Sequence, residues 1–255
     1  MKDLPLTVLL QRAKNESDDL KGELLSTTSK LGPPDVARGF SLPREETCFA
    51  CTPNDPPIST EPCVAVCYVG KSHEGRPSVV ERERRNWVLA QQAGFPLWMI
   101  TELQRKGTQL MKLHVGGEFF SAEYVQHWRR IVRASPRVTF LVYTRVWRKP
   151  RLLEHLERLA AEPNVNLLLS ADRKANDPPE MASTRVAWLA LADDEVPPPE
   201  LRSRVEVVFR ASRERHHRRL KTLGGAVVCP LESGSSVETN CYQCRHCLFK
   251  ERPTT

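Results

Sequence analysis

Eight cysteines fall into two sets of four, Cys48-x2-Cys51-x11-Cys63-x3-Cys67 and Cys229-x11-Cys241-x2-Cys244-x2-Cys247, with none elsewhere in the 255 residues. Four thiolates complete one coordination shell for zinc or for an iron–sulfur cluster, so the spacing predicts two metal sites. In the second set, three cysteines at x2 spacing can wrap a cubane, and Pro230 follows the distal Cys229. Zinc more often takes two separated Cys-x2-Cys pairs, which Cys229-x11-Cys241 does not supply. A [4Fe–4S] cluster is therefore the expectation there, with zinc as the alternative. The first set fits either metal, because Cys-x2-Cys…Cys-x3-Cys also reads as an imperfect zinc knuckle.

A second group of polar residues follows short apolar runs: His114-Val-Gly-Gly-Glu118, Thr144-Arg145 and Ser170-Ala-Asp172. Functional groups in parallel β/α folds collect at the carboxyl ends of strands, which makes these the candidate site. Gly116-Gly117 lets a backbone approach a ligand closely, and Glu118 offers a carboxylate to a cationic amine. A glycine turn before an acidic helix N-terminus would look the same. His114 reads equally as a donor to substrate or as a buried core histidine. Arg82, Arg84, Arg85 and Asn86 share a helical stretch and either line the site or face solvent. Trp87 and Trp98 read as core.

The elements that must position these residues alternate. Apolar runs at 110–115, 138–144, 165–170, 186–191, 205–209 and 226–228 read as strands. Helices are expected over 78–93, 121–134, 151–161 and 212–223, the first opening after Pro77 and stopping at Gly94, the last closed by Gly224-Gly225. Strands alternating with helices give an α/β fold, here a partial (β/α)6 barrel-like parallel sheet carrying two four-cysteine metal sites. Residues 1–39 read as a polar N-terminal extension, 40–225 as the partial barrel with its cysteine loop, and 226–255 as a cysteine-rich metal-binding segment.

Bulk composition narrows the function classes. Hydrophobic content of 40% with 27% charged residues is that of a globular chain, large enough to fold without disulfide staples. The apolar run Leu4–Leu10 is interrupted by Pro5 and Thr7 and is too short to span a bilayer, so no membrane partner is expected. A reducing cytoplasmic location follows, where paired cysteines favour metal over disulfide. Of the net charge of +7, residues 201–255 carry +6, from eleven Lys/Arg against five Asp/Glu. The densest run, Arg213 to Lys221, could contact nucleic-acid phosphates or form a solvated helix face, and it lacks stacking aromatics.

The cysteine loop followed by Gly116-Gly117-Glu118 at the end of the second strand resembles the radical S-adenosylmethionine enzymes. That resemblance implies a [4Fe–4S] cluster with an open iron that binds the cofactor, and one-electron chemistry on an unknown substrate. It also implies an electron donor such as ferredoxin or flavodoxin. Gly116, Gly117 and Glu118 would then contact the amino group of S-adenosylmethionine, while Ser170 and Asp172 fall where the ribose is held. Tyr68 would cover a cluster or the adenine, and Glu118, His114 and Arg145 are the candidate catalytic residues. The usual Cys-x3-Cys-x2-Cys loop is not kept, since Cys63-x3-Cys67 would place its third ligand on Gly70. Cys48 or Cys51 must replace it. The terminal set resembles the ferredoxin run and implies an auxiliary cluster. The chain also resembles a phage-encoded family of unassigned function, through Cys67-Tyr68, Arg82 to Asn86, His114 to Ser121, and Cys229-Pro230 to Cys247. Two alternatives stand beside the enzyme: a zinc-stabilised nucleic-acid-binding protein without catalysis, and a degenerate barrel whose clusters are structural only.

Overall fold

The computed structural model describes residues 23–48, 62–69, 73, 75–211, 220–233 and 239–248. Eight strands form one sheet: β1 (Ala37–Phe40), β2 (Leu110–Leu113), β3 (Thr139–Thr144), β4 (Val165–Ala171), β5 (Thr184–Ala190), β6 (Val205–Arg210), β7 (Thr222–Leu223) and β8 (Ala226–Val228). Their order is β1-β2-β3-β4-β5-β6-β8-β7. All neighbours pair in parallel except β7 with β8. Each parallel strand thus lies beside the one before it in the parallel series, and a crossover must connect them because no hairpin can. Among the described residues no ladder joins β1 to β7 or β8, so the sheet has two edges.

The crossovers differ from the expected six helical units. α3 (Pro77–Ala90) and α4 (Phe95–Arg105) link β1 to β2, α5 (Ala122–Ala134) links β2 to β3, and α6 (Pro150–Ala160) links β3 to β4. Two shorter helices, α1 (Arg44–Thr47) and α2 (Pro62–Ala65), precede α3 in the same crossover. α4 goes beyond the sequence reading, which stops the helix at Gly94. Pro96 sits in its first turn, where a missing N–H costs no hydrogen bond, so the proline starts a new helix. Neither β4–β5 nor β5–β6 contains an α-helix among the described residues; a 3-10 turn at Pro199–Leu201 is all that forms. Prolines at 178–179 and 197–199 remove the donors a helix needs.

Gly224-Gly225 corrects a second expectation. Residues 212–219 lie outside the described part, but Thr222–Leu223 is strand, not helix end. The two glycines, at φ +58° and +86°, make a two-residue hairpin between β7 and β8. Positive φ at both central positions gives the twist that antiparallel strands require.

At the other end the first strand begins at Ala37, inside the stretch read as an extension. Leu24, Leu25 and Leu31 upstream of it are buried. Ser26 and Gly39 exchange backbone hydrogen bonds of 2.8 Å, which fastens this segment along β1.

The two faces of the sheet are covered differently. Phe40, Met111, Leu113, Phe140, Val142, Leu167 and Leu169 pack against helices α3 to α6, with Trp128 fully buried. The strands alternate, so Ala37, Leu110, Leu141, Leu168, Ala187 and Val207 face the opposite way. That second face is covered by Leu31 and by the terminal segment carrying Cys241, Tyr242, Cys247 and Leu248. Among the described residues no helix is long and apolar enough to cross a membrane.

Candidate metal centres and the strand-end site

The first cysteine segment lies in the β1–β2 crossover and meets the end of β2. Cys48 follows α1, Cys63 lies on α2, and Cys67 leads into Tyr68; all three are partly buried, and Cys51 lies outside the described residues. Both flanks of this segment bond the Gly-Gly-Glu loop. Thr47 Oγ1, next to Cys48, accepts from the Glu118 backbone N–H at 3.1 Å. The Tyr68 hydroxyl donates to the Val115 carbonyl. Leu42 N–H donates to the Gly116 carbonyl at 2.9 Å, which brings the end of β1 to the same loop. Arg44 joins the group: burial disfavours its cation, but hydrogen bonds to Glu45 and to Cys67 raise its pKa overall.

Each glycine of the loop has its own reason. Gly117 has φ +81°, and a Cβ there would stand 2.6 Å from Leu42 Cβ and 2.7 Å from Thr47 Oγ1. At Gly116 a Cβ would meet Glu83 Oε1 at 3.2 Å and the Val69 methyls at 3.3 Å. Glycine is therefore required at 117 by backbone and space together, whereas at 116 a Cβ would press on side chains that can shift.

Glu118 is 7% exposed and its carboxylate is already bonded within the chain. Oε1 accepts from Phe119 N–H at 3.0 Å and from Thr144 Oγ1 at 2.9 Å. Oε2 accepts from Arg145 N–H at 2.7 Å. Burial raises the Glu118 pKa to about 7 in spite of these donors. The carboxylate joins the end of β2 to the end of β3, and an incoming amine would meet an oxygen that is held in place.

Arg145 continues this line to β4. Its Nη2 lies 2.6 Å from Asp172 Oδ2, and both residues are buried. Asp172 Oδ1 accepts from Lys174 and Ala175 N–H, closing a turn after β4. Among the described residues Arg145 Nη1 is buried without a hydrogen-bond partner. Ser170 lies two residues before Asp172, with its carbonyl accepting from the Trp147 indole at 2.9 Å. The strand-end residues Glu118, Thr144, Arg145 and Asp172 are thus one connected row.

His114 is placed elsewhere. It follows the cis Leu113–His114 peptide and lies among Phe40, Phe119, Tyr124 and Trp128 on the helix-covered side. Its Nε2 is 2.9 Å from the Tyr124 hydroxyl, and burial lowers its pKa to about 3, so the ring is neutral. Of the expected helical residues, Asn86 donates to the Leu24 and Ser41 carbonyls at 3.0 Å, and Arg85 donates to the Glu23 carbonyl.

Three residues joined to this region are absent from the sequence reading. Glu83, 4% exposed, pairs with His73 Nδ1 at 2.6 Å beside Gly116. A carboxylate at a core-facing helical position was the readable signal for Glu83. Thr47 had no signal beyond its place next to Cys48. Lys112, a lysine inside the apolar run Leu-Met-Lys-Leu, stands on the face covered by the terminal segment. Its Nζ lies 5.6 Å from the centroid of the Tyr143 ring.

The second set gathers on that same face. Cys229 follows β8, and Cys241–Cys244 is the short helix α7, capped by Asn240, whose side chain accepts from Gln243 N–H at 2.9 Å. Cys229, Cys241 and Cys247 pack against one apolar patch. The segment is fastened at many points. Cys241 N–H donates to the Lys30 carbonyl at 3.0 Å and Tyr242 N–H to the Leu31 carbonyl at 2.9 Å. Arg185 donates to the Cys247 carbonyl at 3.0 Å, and His246 Nε2 lies 3.1 Å from Glu206 Oε1.

Burial raises the Cys229 thiol to about 12 and the Cys247 thiol to about 11, and the neighbouring thiols add to both shifts. The donors fit a four-thiolate site in type and number, and their mutual repulsion as anions is what a cation would relieve. Among the described residues no group of three His, Cys, Asp or Glu already stands at metal-ligating geometry. Cys229, Cys241 and Cys247 share the patch, and Cys244 is exposed.

Comparison with known proteins gives relatives rather than an activity. A family model described as Gene product 88 matches residues 8–250. The Gene 88 protein of Mycobacterium phage L5 is 33% identical over 148 residues, 54% of this chain and 58% of that protein. The Gene 88 protein of Mycobacterium phage D29 is 31% identical over 148 residues, with the same coverage. The chain therefore spans less than two thirds of the curated relatives it matches. No solved structure gives a significant match.

Proposed function

The chain belongs to the Gene product 88 family, and from that premise we propose that it is a radical S-adenosylmethionine-type iron–sulfur enzyme acting on an unknown substrate. The observation that carries this reading is the double attachment of the first cysteine segment to the Gly-Gly-Glu loop. Thr47 beside Cys48 and Tyr68 beside Cys67 both bond residues 115–118. A purely structural zinc knuckle has no need to be tied on both flanks to a glycine loop at a strand end. The strands from β1 to β6 also follow one another in order, as in a partial β/α barrel.

In this reading Cys63 and Cys67, with Cys48 or Cys51, hold the first centre. Cys229, Cys241, Cys244 and Cys247 hold an auxiliary one. Bound there, an iron–sulfur centre with one open iron would supply the electron for reductive cleavage of S-adenosylmethionine. The chain supplies the rest. Gly116 and Gly117 bring backbone carbonyls close to the cofactor amino group, and Glu118, fixed by Thr144 and Arg145, keeps that loop from moving. Arg145 would offer Nη1, which is buried without a hydrogen-bond partner among the described residues, to an anionic group, with Asp172 holding the guanidinium. Ser170 and Asp172 are the ribose candidates, and Tyr68 offers an exposed ring held by its hydroxyl. His114 is a core residue in this scheme.

A nucleotide or nucleic acid is the substrate class we favour, because residues 201–255 carry +6 of the net charge. Arg213 to Arg219 lie outside the described residues. The test is anaerobic purification with iron, sulfide and zinc quantified, followed by dithionite and S-adenosylmethionine. About eight irons and release of 5′-deoxyadenosine are expected. Two zincs without iron would replace this reading with the zinc-stabilised nucleic-acid-binding protein. Iron without cofactor cleavage would leave structural clusters on a degenerate barrel.

A further inference from the structure

We infer that Lys112 is the charge partner of the C-terminal four-cysteine centre, its ammonium stabilising the reduced state of an iron–sulfur cluster held by Cys229, Cys241, Cys244 and Cys247. This rests on the iron–sulfur part of the proposed function and not on cofactor cleavage.

The geometry begins on β2. Lys112 pairs with Leu141 of β3 and faces the patch that includes Leu110 and Leu141. Cys229, Cys241 and Cys247 pack on that patch. Lys112 Nζ lies over the Tyr143 ring, and the Tyr143 hydroxyl hydrogen-bonds the Cys247 thiol. The ammonium, the ring and the sulfur therefore form one continuous contact.

No salt bridge among the described residues pairs Lys112 with a carboxylate, and Glu206 on β6 and Glu232 after β8 have other partners. Glu206 is taken by Arg185 and His246, and Glu232 faces Lys30. Lys112 is partly buried, so a neighbouring anionic centre would interact with its ammonium more strongly than across bulk water. Four thiolates outweigh the positive charge of an iron–sulfur core, and the centre becomes more anionic when it gains an electron. An ammonium fixed nearby in a poorly screened site favours that gain.

The step is a one-electron reduction. An external low-potential donor loses one electron and the cluster gains it. No bond to Lys112 forms or breaks, and its proton stays on Nζ.

The full chain, loaded anaerobically with iron and sulfide, is titrated with dithionite and followed by electron paramagnetic resonance. Lys112→Met is expected to keep wild-type iron content and to lower one midpoint. The expected shift is tenfold in the reduced-to-oxidised ratio, about 59 mV for a one-electron couple. Lys112→Arg should restore it. The shift should persist when Cys63→Ser and Cys67→Ser remove the first centre. An unchanged midpoint at wild-type iron content overturns the inference, as does a shift that vanishes with the first centre. If Lys112→Met and Lys112→Gln both fail to load the terminal site, loading by Lys112→Arg supports the charge requirement and its failure overturns it. Zinc in place of iron in the wild-type protein overturns both this inference and the proposed function. Two iron–sulfur centres without cofactor cleavage overturn the latter and leave this test to decide Lys112.

Discussion

Thr47 Oγ1 accepts the backbone N–H of Glu118 at 3.1 Å, across 71 residues of sequence. That bond joins the residue before Cys48 to the last residue of the Gly-Gly-Glu loop. The Thr47 hydroxyl donates in turn to the Pro43 carbonyl at 2.8 Å, so its orientation is fixed. Thr47→Val leaves the buried Glu118 N–H unpaired and should lower stability by about 1–3 kcal/mol, whereas Thr47→Ser should stay near wild type. Denaturant unfolding of the three proteins, at equal metal content, measures the difference.

The two loop glycines should respond unequally to alanine. At Gly117 a methyl meets Leu42 and Thr47 below 3.0 Å on a positive φ. Gly117→Ala should therefore destabilise by roughly 2 kcal/mol or more and loosen the first cysteine segment. Gly116→Ala meets the movable Glu83 carboxylate and Val69 methyls at 3.2–3.3 Å and should cost less. Thermal unfolding, with iron retained at the first centre as a second readout, ranks them. Equal losses would contradict the placement of Gly117 against α1.

Two buried groups make opposite contributions to the pH dependence. The Glu118 pKa is raised to about 7 from 4.5, so the folded chain holds a proton that the unfolded chain has lost across that interval. Its contribution is complete below about pH 4.5 and falls as pH rises to 7. His114 is lowered from 6.5 to about 3, so its contribution is complete above pH 6.5 and falls as pH drops toward 3. Each slope approaches roughly 1.4 kcal/mol per pH unit at its steepest, and the two largely cancel between pH 4.5 and 6.5. Glu118→Gln removes one of them, so the variant should gain stability relative to wild type as pH rises from 5 to 7. A parallel pair of stability–pH curves would show that Glu118 titrates normally.

The terminal segment is held by Arg185, which donates to Cys247, faces Glu206 and reaches Asn166 at 3.3 Å. Arg185→Ala should lower metal content at the second centre to half or less while the first centre stays loaded. Removing metal by chelation should have a related effect, exposing Leu110, Leu141 and Leu168 as the segment loosens. Limited proteolysis before and after chelation reports on that release. Unchanged cleavage would mean that packing alone fastens the segment.

Tyr124→Phe tests whether His114 belongs to the core. It removes the hydrogen bond that His114 Nε2 makes with the Tyr124 hydroxyl and should cost about 1–3 kcal/mol while leaving cofactor cleavage intact. A loss of cleavage with normal folding would return His114 to the site.

Elements with strong periodicity, and the donor types, can be read from the order of residues alone. Strands β2 to β6 and helices α3, α5 and α6 fall within a few residues of the expected spans, because continuous apolar runs and amphipathic helices carry their burial pattern in order along the chain. The two cysteine sets, the glycine loop and the strand-end residues Thr144, Arg145 and Asp172 were equally legible. Each of these apolar runs ends in polar or charged residues, where the apolar interior stops.

Which of these groups meet is set by the packing of the folded chain. Glu118 bonds Thr47, Thr144 and Arg145 across crossovers whose geometry is set by parallel pairing, not by sequence separation. His114 and Glu118 are four residues apart, yet His114 enters the aromatic core while Glu118 joins the row of strand ends. Gly224-Gly225 could end a helix or turn a hairpin, since positive φ serves both, and pairing with β8 selected the hairpin. Lys112 interrupts an apolar strand, and only the fold places it on the face covered by the terminal segment. The physical reason is common to all four. Local sequence fixes backbone preference and side-chain chemistry, but burial and charge pairing depend on what the far end of the chain brings to the same face.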